Sequence, residues 1–131
     1  MNDVAEIRKL YDTACQARGK SYSPYSKFAV GAALQASDGR IFVGCNVENG
    51  AYPLSICAEQ VAITKAVSEG VKEFSRIVVV ASKLASPCGA CRQVISEFFK
   101  DEDLIIAIDA DDFENQLKWT MTELLPNRFQ L

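Results

Sequence analysis

The stretch RIVVVASKLASPCGACRQVISEFFK (residues 76–100) contains the strongest signal for the arrangement of strands and helices. Its first part, residues 76–82, has the unbroken β-branched character of a strand that is buried on both faces. Residues 89–100 follow as a helix with its apolar side chains turned inward, and LIIAID (residues 104–109) predicts a second buried strand. A helix between two strands favours parallel strand neighbours with helices covering the sheet.

The sequence before this stretch predicts a hairpin and a helix. FAVGAALQ (residues 28–35) and IFVGCNV (residues 41–47) flank an Asp38-Gly39 pair, which is a strong signal for a hairpin turn. Residues 58–69 are largely apolar and predict a helix, for which Gly70 is a suitable C-terminal cap.

The two ends of the chain complete the predicted order of elements. Apolar residues recur at helical spacing from residue 4 and predict a first helix that ends near Gly19. Residues 117–121 predict a last strand, and residues 122–126 a short final helix. Only about seven residues separate this strand from residues 104–109, whereas a parallel crossover needs about a dozen or more, so the last two strands should run antiparallel.

These elements predict an α/β protein, a three-layer α/β/α sandwich around a mixed five-stranded sheet. At 131 residues, we expect residues 1–131 to form a single domain. The apolar runs are too short for a membrane span, and the opening MNDVAEIRK lacks the pattern of an export signal. We therefore expect a cytoplasmic protein with no membrane partner.

The charge and the content of ionisable residues narrow the chemistry. The net charge is −3 without any basic run, which disfavours nucleic acid as a partner and favours small substrates. There is no histidine, which excludes His-dependent nucleophilic mechanisms and His-ligated metals. Five cysteines without an export signal argue against a disulfide framework.

Three cysteines and one glutamate stand at predicted helix starts. Cys57 and Glu59 open the helix at residues 58–69, and Cys88 and Cys91 open the helix at residues 89–100. A helix N-terminus favours thiolate, so two such ends can direct three thiolates at one point. Three protein ligands with one open position are typical of catalytic zinc, and Glu59 could then move protons between the bound water and a substrate.

Simpler interpretations of the same residues remain open at this level. For Cys15 and Cys45 we favour a role as small buried apolar residues, although Cys45 could complete a closed structural tetrathiolate. The CGAC sequence of Cys88 and Cys91 could form a thioredoxin-like redox pair. Glu59 could be an ordinary exposed carboxylate, because negative charge is favourable in the first turn of a helix.

The combination of CAE with SPCGACRQVISE resembles the zinc-dependent cytidine deaminases, whose signature is Cys or His, x, Glu, then Pro-Cys-x-x-Cys. The resemblance covers nearly the whole chain, including YSPYSKFAVGAAL, DGRIFVGCNVENGAYPLSICAE and MTELLP. The all-cysteine ligand set is similar to the small homotetrameric class, and the antiparallel final strand pair to deaminases of free nucleosides.

The resemblance implies a mechanism. Cys57, Cys88 and Cys91 would hold one Zn²⁺ per chain, zinc-bound hydroxide would attack C4 of cytosine, and Glu59 would act as the proton shuttle. The reaction would convert cytidine and deoxycytidine into uridine and deoxyuridine, as in pyrimidine salvage. An alternative with the same motifs is a deaminase of a modified cytosine nucleoside such as blasticidin S.

The resemblance also implies substrate-binding residues. Asn46 and Glu48 match a pair that hydrogen-bonds the ribose hydroxyls, and Phe28 matches an aromatic residue of the base pocket. Tyr52 and Phe129 match residues that family members lend to a neighbouring subunit, which would make a homotetramer necessary. The full set of expected substrate contacts is Phe28, Asn46, Val47, Glu48, Tyr52, Ala58 and Phe129.

The chain departs from the family pattern at one position. Many three-cysteine members have Arg directly after the catalytic Glu, where it offsets the charge of the thiolates, and this chain has Gln60 there. Helix dipoles, backbone N–H groups and Arg92 are then the expected compensating groups. We therefore predict a less acidic zinc-bound water or weaker zinc retention than in a relative with Arg.

Overall fold

A computed structural model describes residues 3–131 of the protein. Met1 and Asn2 lie outside the described residues. They are the first two residues of MNDVAEIRK, in which we found no pattern of an export signal. None of the helices within residues 3–131 is long and apolar enough to cross a membrane. The elements in chain order are α1 (Asp3–Arg18), β1 (Val30–Ala36), β2 (Ile41–Cys45), a 3-10 turn (Tyr52–Leu54), α2 (Ala58–Ser68), β3 (Phe74–Ala81), α3 (Gly89–Phe98), β4 (Leu104–Asp109), β5 (Asp112–Thr120) and α4 (Met121–Leu124).

The five strands form one mixed sheet in the order β2-β1-β3-β4-β5. Strand β1 pairs antiparallel with both β2 and β3, and β3 and β4 are parallel, as the helix between them predicts. Helix α2 connects β2 to β3, and the same rule would make these two strands neighbours in the sheet. That expectation is wrong, because β1 lies between them. The α/β class with a mixed five-stranded sheet agrees with the prediction.

Strands β4 and β5 run antiparallel, but their connection is shorter than the sequence pattern indicated. Strand β5 begins at Asp112 and not at residue 117, which leaves only Ala110 and Asp111 between the two strands. Apart from Phe113, the first five residues of β5 are polar, and most of the five are exposed because β5 is the edge of the sheet. An edge strand without an apolar pattern gives no hydrophobic signal, which explains the wrong boundary.

Helices cover both faces of the sheet and produce the predicted three layers. Helix α1 packs on one face, where Leu10 and Ala14 contact the cluster that contains Val78 and Val80. Helices α2, α3 and α4 pack on the other face, and Ile77 and Val79 contribute to that second cluster. Alternate side chains of β3 are therefore buried on opposite faces, as its continuous apolar sequence predicted.

A glycine in β2 lets the first turn of α2 lie directly on the sheet. A Cβ atom added at Gly44 would come within 2.4 Å of the Ala58 carbonyl oxygen and 2.6 Å of the Ala62 amide nitrogen. No side chain fits in this space, so Gly44 fixes how closely the N-terminus of α2 approaches the strand. Cys57 and Glu59 stand at this N-terminus.

Candidate active site

Three cysteine thiols converge where helices α2 and α3 begin. Cys57 is the N-cap of α2, Cys88 is the N-cap of α3, and Cys91 lies in the first turn of α3. Their Sγ atoms all lie within 4.8 Å of one another. Neither N-cap side chain accepts a capping hydrogen bond, so the sulfur atoms remain available as ligands beside two helix N-termini.

The Cys57 and Cys91 thiols are hydrogen-bonded to each other, and this contact shifts their pKa values in opposite directions. A hydrogen bond from Cys91 lowers the pKa of Cys57 to about 7, although burial acts in the opposite direction. The same contact, together with burial, raises the pKa of Cys91. Thiolate sulfur is a preferred donor for Zn²⁺, and three such donors leave one coordination position open. The chemistry of this cluster therefore fits a catalytic zinc ion.

The other two cysteines lie outside the cluster. Cys45 Sγ donates to the backbone carbonyl of Lys20 at 3.4 Å, and Cys15 packs against the hydrophobic cluster beneath α1. Within residues 3–131, the metal-compatible group contains only three cysteines. The closed tetrathiolate with Cys45 is therefore wrong, and the packing role expected for Cys15 is confirmed.

Glu59 is buried next to the thiols. Its side chain lies in the first turn of α2, only 5% of the residue is exposed, and it lines the same cavity as the three cysteines. Burial raises the pKa of its carboxyl group above the ordinary value. The alternative of an ordinary exposed carboxylate is wrong, and a buried carboxyl group with a raised pKa is suited to accept and return a proton.

A cavity of about 280 Å³ extends from the thiols to the end of β2. Four of the expected substrate residues line it together with Glu59: Phe28, Asn46, Glu48 and Ala58. The remaining three are largely exposed, namely Val47 at 41%, Tyr52 at 73% and Phe129 at 66%. Tyr52 lines a second cavity of about 360 Å³ that also contacts Glu48. The substrate contacts expected for these three residues stay predictions.

Asn46 is held in place by three hydrogen bonds within the chain. Its Oδ1 atom accepts from the Ser21 hydroxyl and from the Val30 amide, the latter at 3.0 Å. Its Nδ2 atom donates to the Phe28 carbonyl at 2.8 Å. A side-chain amide has two N–H donors, so Asn46 retains one N–H for a substrate.

The stretch that contains Asn46 and Glu48 is tied to the metal cluster through the backbone. Val47 forms one isolated bridge with Tyr22 and another with Ile56, and both backbone hydrogen bonds between Val47 and Ile56 are 2.9 Å. Ile56 directly precedes Cys57. The expected sugar-binding residues and the first zinc ligand are therefore positioned by one small hydrogen-bonded unit.

Two polar side chains next to the ligands form hydrogen bonds that the sequence did not predict. Gln60 Nε2 donates to Cys91 Sγ at 3.5 Å, so a neutral amide contacts the ligand directly. Arg92, expected to offset thiolate charge, instead donates to the Pro87 carbonyl at 2.8 Å and the Leu124 carbonyl at 2.7 Å. It also donates to Ser86 Oγ at 2.9 Å. Arg92 thus connects the loop before Cys88 to α4.

The sequence patterns missed three polar residues of the cavity, namely Ser26, Lys83 and Ser86. Ser26 and Lys83 both line it, and each lies in a connection between elements that carries no motif of its own. Ser26 belongs to the turn-rich SYSPYSK (residues 21–27), where the serines carry no signal that separates structural from functional ones.

Comparisons with known proteins agree with this site. A family model described as the cytidine and deoxycytidylate deaminase zinc-binding region matches residues 4–108. A cytidine deaminase of Sporosarcina psychrophila is 46% identical over 127 residues, covering 95% of this chain and 91% of that protein. A probable cytidine deaminase of Dictyostelium discoideum is 44% identical over 127 residues, with coverage of 95% and 84%.

A solved structure has the same fold. The crystal structure of cytidine deaminase from Burkholderia pseudomallei has a TM-score of 0.85 to this chain at 40% identity, covering 93% of this chain and 98% of that one. The three-thiol cluster is accordingly a site for one zinc ion per chain. The chain belongs to the cytidine and deoxycytidylate deaminase family.

Proposed function

We propose that this protein hydrolytically deaminates cytidine and deoxycytidine to uridine and deoxyuridine. The observation that carries the proposal is a buried carboxyl group, Glu59, that lines the same cavity as three converging cysteine thiols. The cytidine deaminases to which the chain is similar support the choice of substrate.

The proposed reaction uses Glu59 as the only proton carrier. When bound by Cys57, Cys88 and Cys91, zinc would act as a Lewis acid that lowers the pKa of a water molecule toward neutral pH. Glu59 accepts a proton from that water and gives it to N3 of the base, so that the water oxygen can bond to C4. Glu59 would then take the remaining proton from the hydroxyl group on C4 and deliver it to the amino group, so that C4=O forms, the C4–N bond breaks and ammonia leaves.

The other end of the cavity binds the sugar in this proposal. Glu48 accepts two backbone N–H groups on Oε1 and one hydroxyl on Oε2, so Oε2 can accept one further hydrogen bond. Asn46 retains one donor. Together they can bind a single sugar hydroxyl, which donates to Glu48 and accepts from Asn46. Cytidine and deoxycytidine both have a 3′-hydroxyl, so both nucleosides can bind to Asn46 and Glu48 in this way. Phe28 would contact the cytosine base.

Assembly into a homotetramer is also part of the proposal. Tyr22, Val47, Leu54 and Ile56 are large apolar residues that are all exposed, and backbone bridges join Tyr22, Val47 and Ile56 side by side. A contiguous exposed apolar patch on a small protein is typical of an interaction surface. In the assembly, Tyr52 and Phe129 would complete the site of a neighbouring subunit, as the resemblance implies.

We place the proposed activity in the cytoplasm, with a pyrimidine nucleoside and water as substrates. All five cysteines are free thiols, and a thiolate zinc site is compatible with a reducing compartment. The deciding experiment follows the loss of cytidine absorbance near its ultraviolet maximum, with zinc content and molecular mass in solution measured on the same sample. Turnover of blasticidin S but not of cytidine would contradict the proposal.

A further inference from the structure

We propose that Ser26 is a positioning residue that fixes the Glu48 carboxylate and Phe28 relative to one another at the sugar end of the cavity. This inference rests on the proposed function, because it assigns Glu48 to the substrate sugar and Phe28 to the base. Ser26 itself acts through these two residues and is not a catalytic residue.

The first observation is the set of donors around Glu48. Glu48 Oε1 accepts the Tyr25 amide at 3.0 Å and the Ser26 amide at 3.1 Å. Glu48 Oε2 accepts the Ser26 hydroxyl. The backbone amides hold only Oε1, so the Ser26 hydroxyl is what sets the rotation of the carboxylate and the direction of the remaining Oε2 lone pair.

The second observation is the contact from Ser26 to the base side of the cavity. The Phe28 amide donates to Ser26 Oγ at 3.0 Å, so one hydroxyl bonds both the Glu48 carboxylate and the Phe28 backbone. The intervening Lys27 has a φ of 60°, in the left-handed region that a lysine rarely adopts. This turn brings the Phe28 amide back to the serine, and the hydrogen bond offsets its conformational cost.

The charge state of Glu48 agrees with this arrangement. The hydrogen bond from the Ser26 side chain lowers the pKa of the Glu48 carboxyl group, with smaller contributions from the Ser26 and Tyr25 amides and from the charge of Lys27. An ionised carboxylate is an acceptor only and can take a hydrogen bond from a sugar hydroxyl. Ser26 therefore supports both the orientation and the acceptor character of Glu48.

The location of Ser26 suggests that it affects substrate binding and not the bond-breaking step. Ser26 and Glu48 line both the catalytic cavity and the adjoining cavity that contains Tyr52, so they form the wall between the two. The reacting atoms lie at the other end, next to Cys57 and Glu59. Loss of the hydroxyl should therefore weaken substrate binding without slowing the step that breaks the C4–N bond.

The experiment compares Ser26→Ala with Ser26→Thr in the zinc-loaded protein, and Ser68→Ala serves as a matched control. Ser68 also donates its hydroxyl to a local carbonyl, but it lies at the far end of α2. We expect Ser26→Ala to raise the KM for cytidine about tenfold with kcat within about twofold, because the lost hydrogen bond involves a charged acceptor. Ser26→Thr, which keeps the hydroxyl, should restore KM.

Crystal structures of the wild type and Ser26→Ala test the positioning step apart from activity, so they remain informative if the wild type does not turn over cytidine. We expect the Glu48 carboxylate to rotate away from its place in the wild type. An unmoved carboxylate, an unchanged KM in Ser26→Ala, or equal losses in the Ala and Thr variants would overturn the proposal. Wild-type turnover in the same assay shows separately whether the proposed function holds.

Discussion

Gln60 Nε2 donates a hydrogen bond to Cys91 Sγ across 3.5 Å, from the first turn of α2 to the first turn of α3. The contact joins the residue after Glu59 to a buried zinc ligand. Its donor is neutral, whereas three thiolates around Zn²⁺ have a net charge of −1. The amide therefore stabilises the ligand by a hydrogen bond but does not cancel its charge.

Replacing Gln60 by Arg should strengthen zinc retention. A cation at this distance interacts more favourably with thiolate than an amide does, and an about threefold to tenfold lower zinc dissociation constant is expected. Gln60→Glu should weaken binding, because a carboxylate repels the thiolates. Competition with a colorimetric zinc chelator measures the three affinities, and the pH–rate profile should shift to lower pH in the Arg variant. Equal affinities and profiles in wild type and Gln60→Arg would contradict this account.

Replacing Glu59 by Gln should remove turnover and leave zinc in place. The amide has nearly the same shape but cannot carry a proton, so kcat should fall by about 10²-fold to 10⁴-fold. Glu69→Gln, at the exposed C-terminal end of the same helix, is the matched control and should retain activity. Zinc content by atomic emission should be the same in all three proteins. Substantial turnover by Glu59→Gln would contradict the assigned role.

Zinc content should separate the cluster cysteines from the others. Cys45→Ser should retain one zinc per chain, because its thiol bonds the Lys20 carbonyl and lies outside the group of three. Cys88→Ser should lose most of its zinc, since a hydroxyl is a poor ligand for this ion. Metal loss in Cys45→Ser would support the tetrathiolate interpretation that the geometry excludes.

Gly44→Ala should destabilise the fold and impair the site together. The added methyl group would meet backbone atoms of α2 at 2.4 and 2.6 Å, and such overpacking costs about 1–3 kcal/mol. Gly89→Ala is a matched control, because a Cβ atom there meets nothing within 4 Å. Urea unfolding should show a clear loss of unfolding free energy for Gly44→Ala and little change for Gly89→Ala. Equal stability of the two variants would show that α2 can move away at low cost.

Arg92→Met should loosen the loop that carries Cys88. The substitution keeps much of the aliphatic volume but removes three hydrogen bonds to Ser86, Pro87 and Leu124, at an expected cost of about 1.5–3 kcal/mol. Arg8→Met removes an exposed ion pair with Asp12 and the cation–π contacts of Arg8 with the Tyr11 and Phe113 rings, and it should cost about 1 kcal/mol, less than Arg92→Met. Unfolding free energy should decrease more in Arg92→Met than in Arg8→Met, and zinc retention should decrease in Arg92→Met alone. A zinc affinity equal to that of the wild type would limit Arg92 to a role in stability.

Local patterns in the sequence contain most of the information about the elements. The continuous β-branched run of β3 predicts burial on both faces because each face of the sheet is covered by helices. The start of β5 at Asp112 cannot be found by the same reasoning, because Phe113 is the single apolar residue among the first five of this strand and one residue reveals no period. The position of β1 between β2 and β3 could not be predicted either, because it depends on how all the strands of the sheet pair and not on the pattern of any single segment.

The sequence identified Cys57, Cys88 and Cys91 as candidate metal ligands, since their spacing places thiols at two predicted helix starts, but it left a fourth ligand, Cys45, open. Contacts between segments that are distant in sequence became apparent in the folded chain. The tertiary structure excluded Cys45 from the cluster, directed Arg92 to carbonyls, and joined Ser26 to Glu48 across 22 positions of sequence. The physical reason is that a helix start fixes donor chemistry locally, whereas hydrogen-bond partners are set by which loops the sheet brings together.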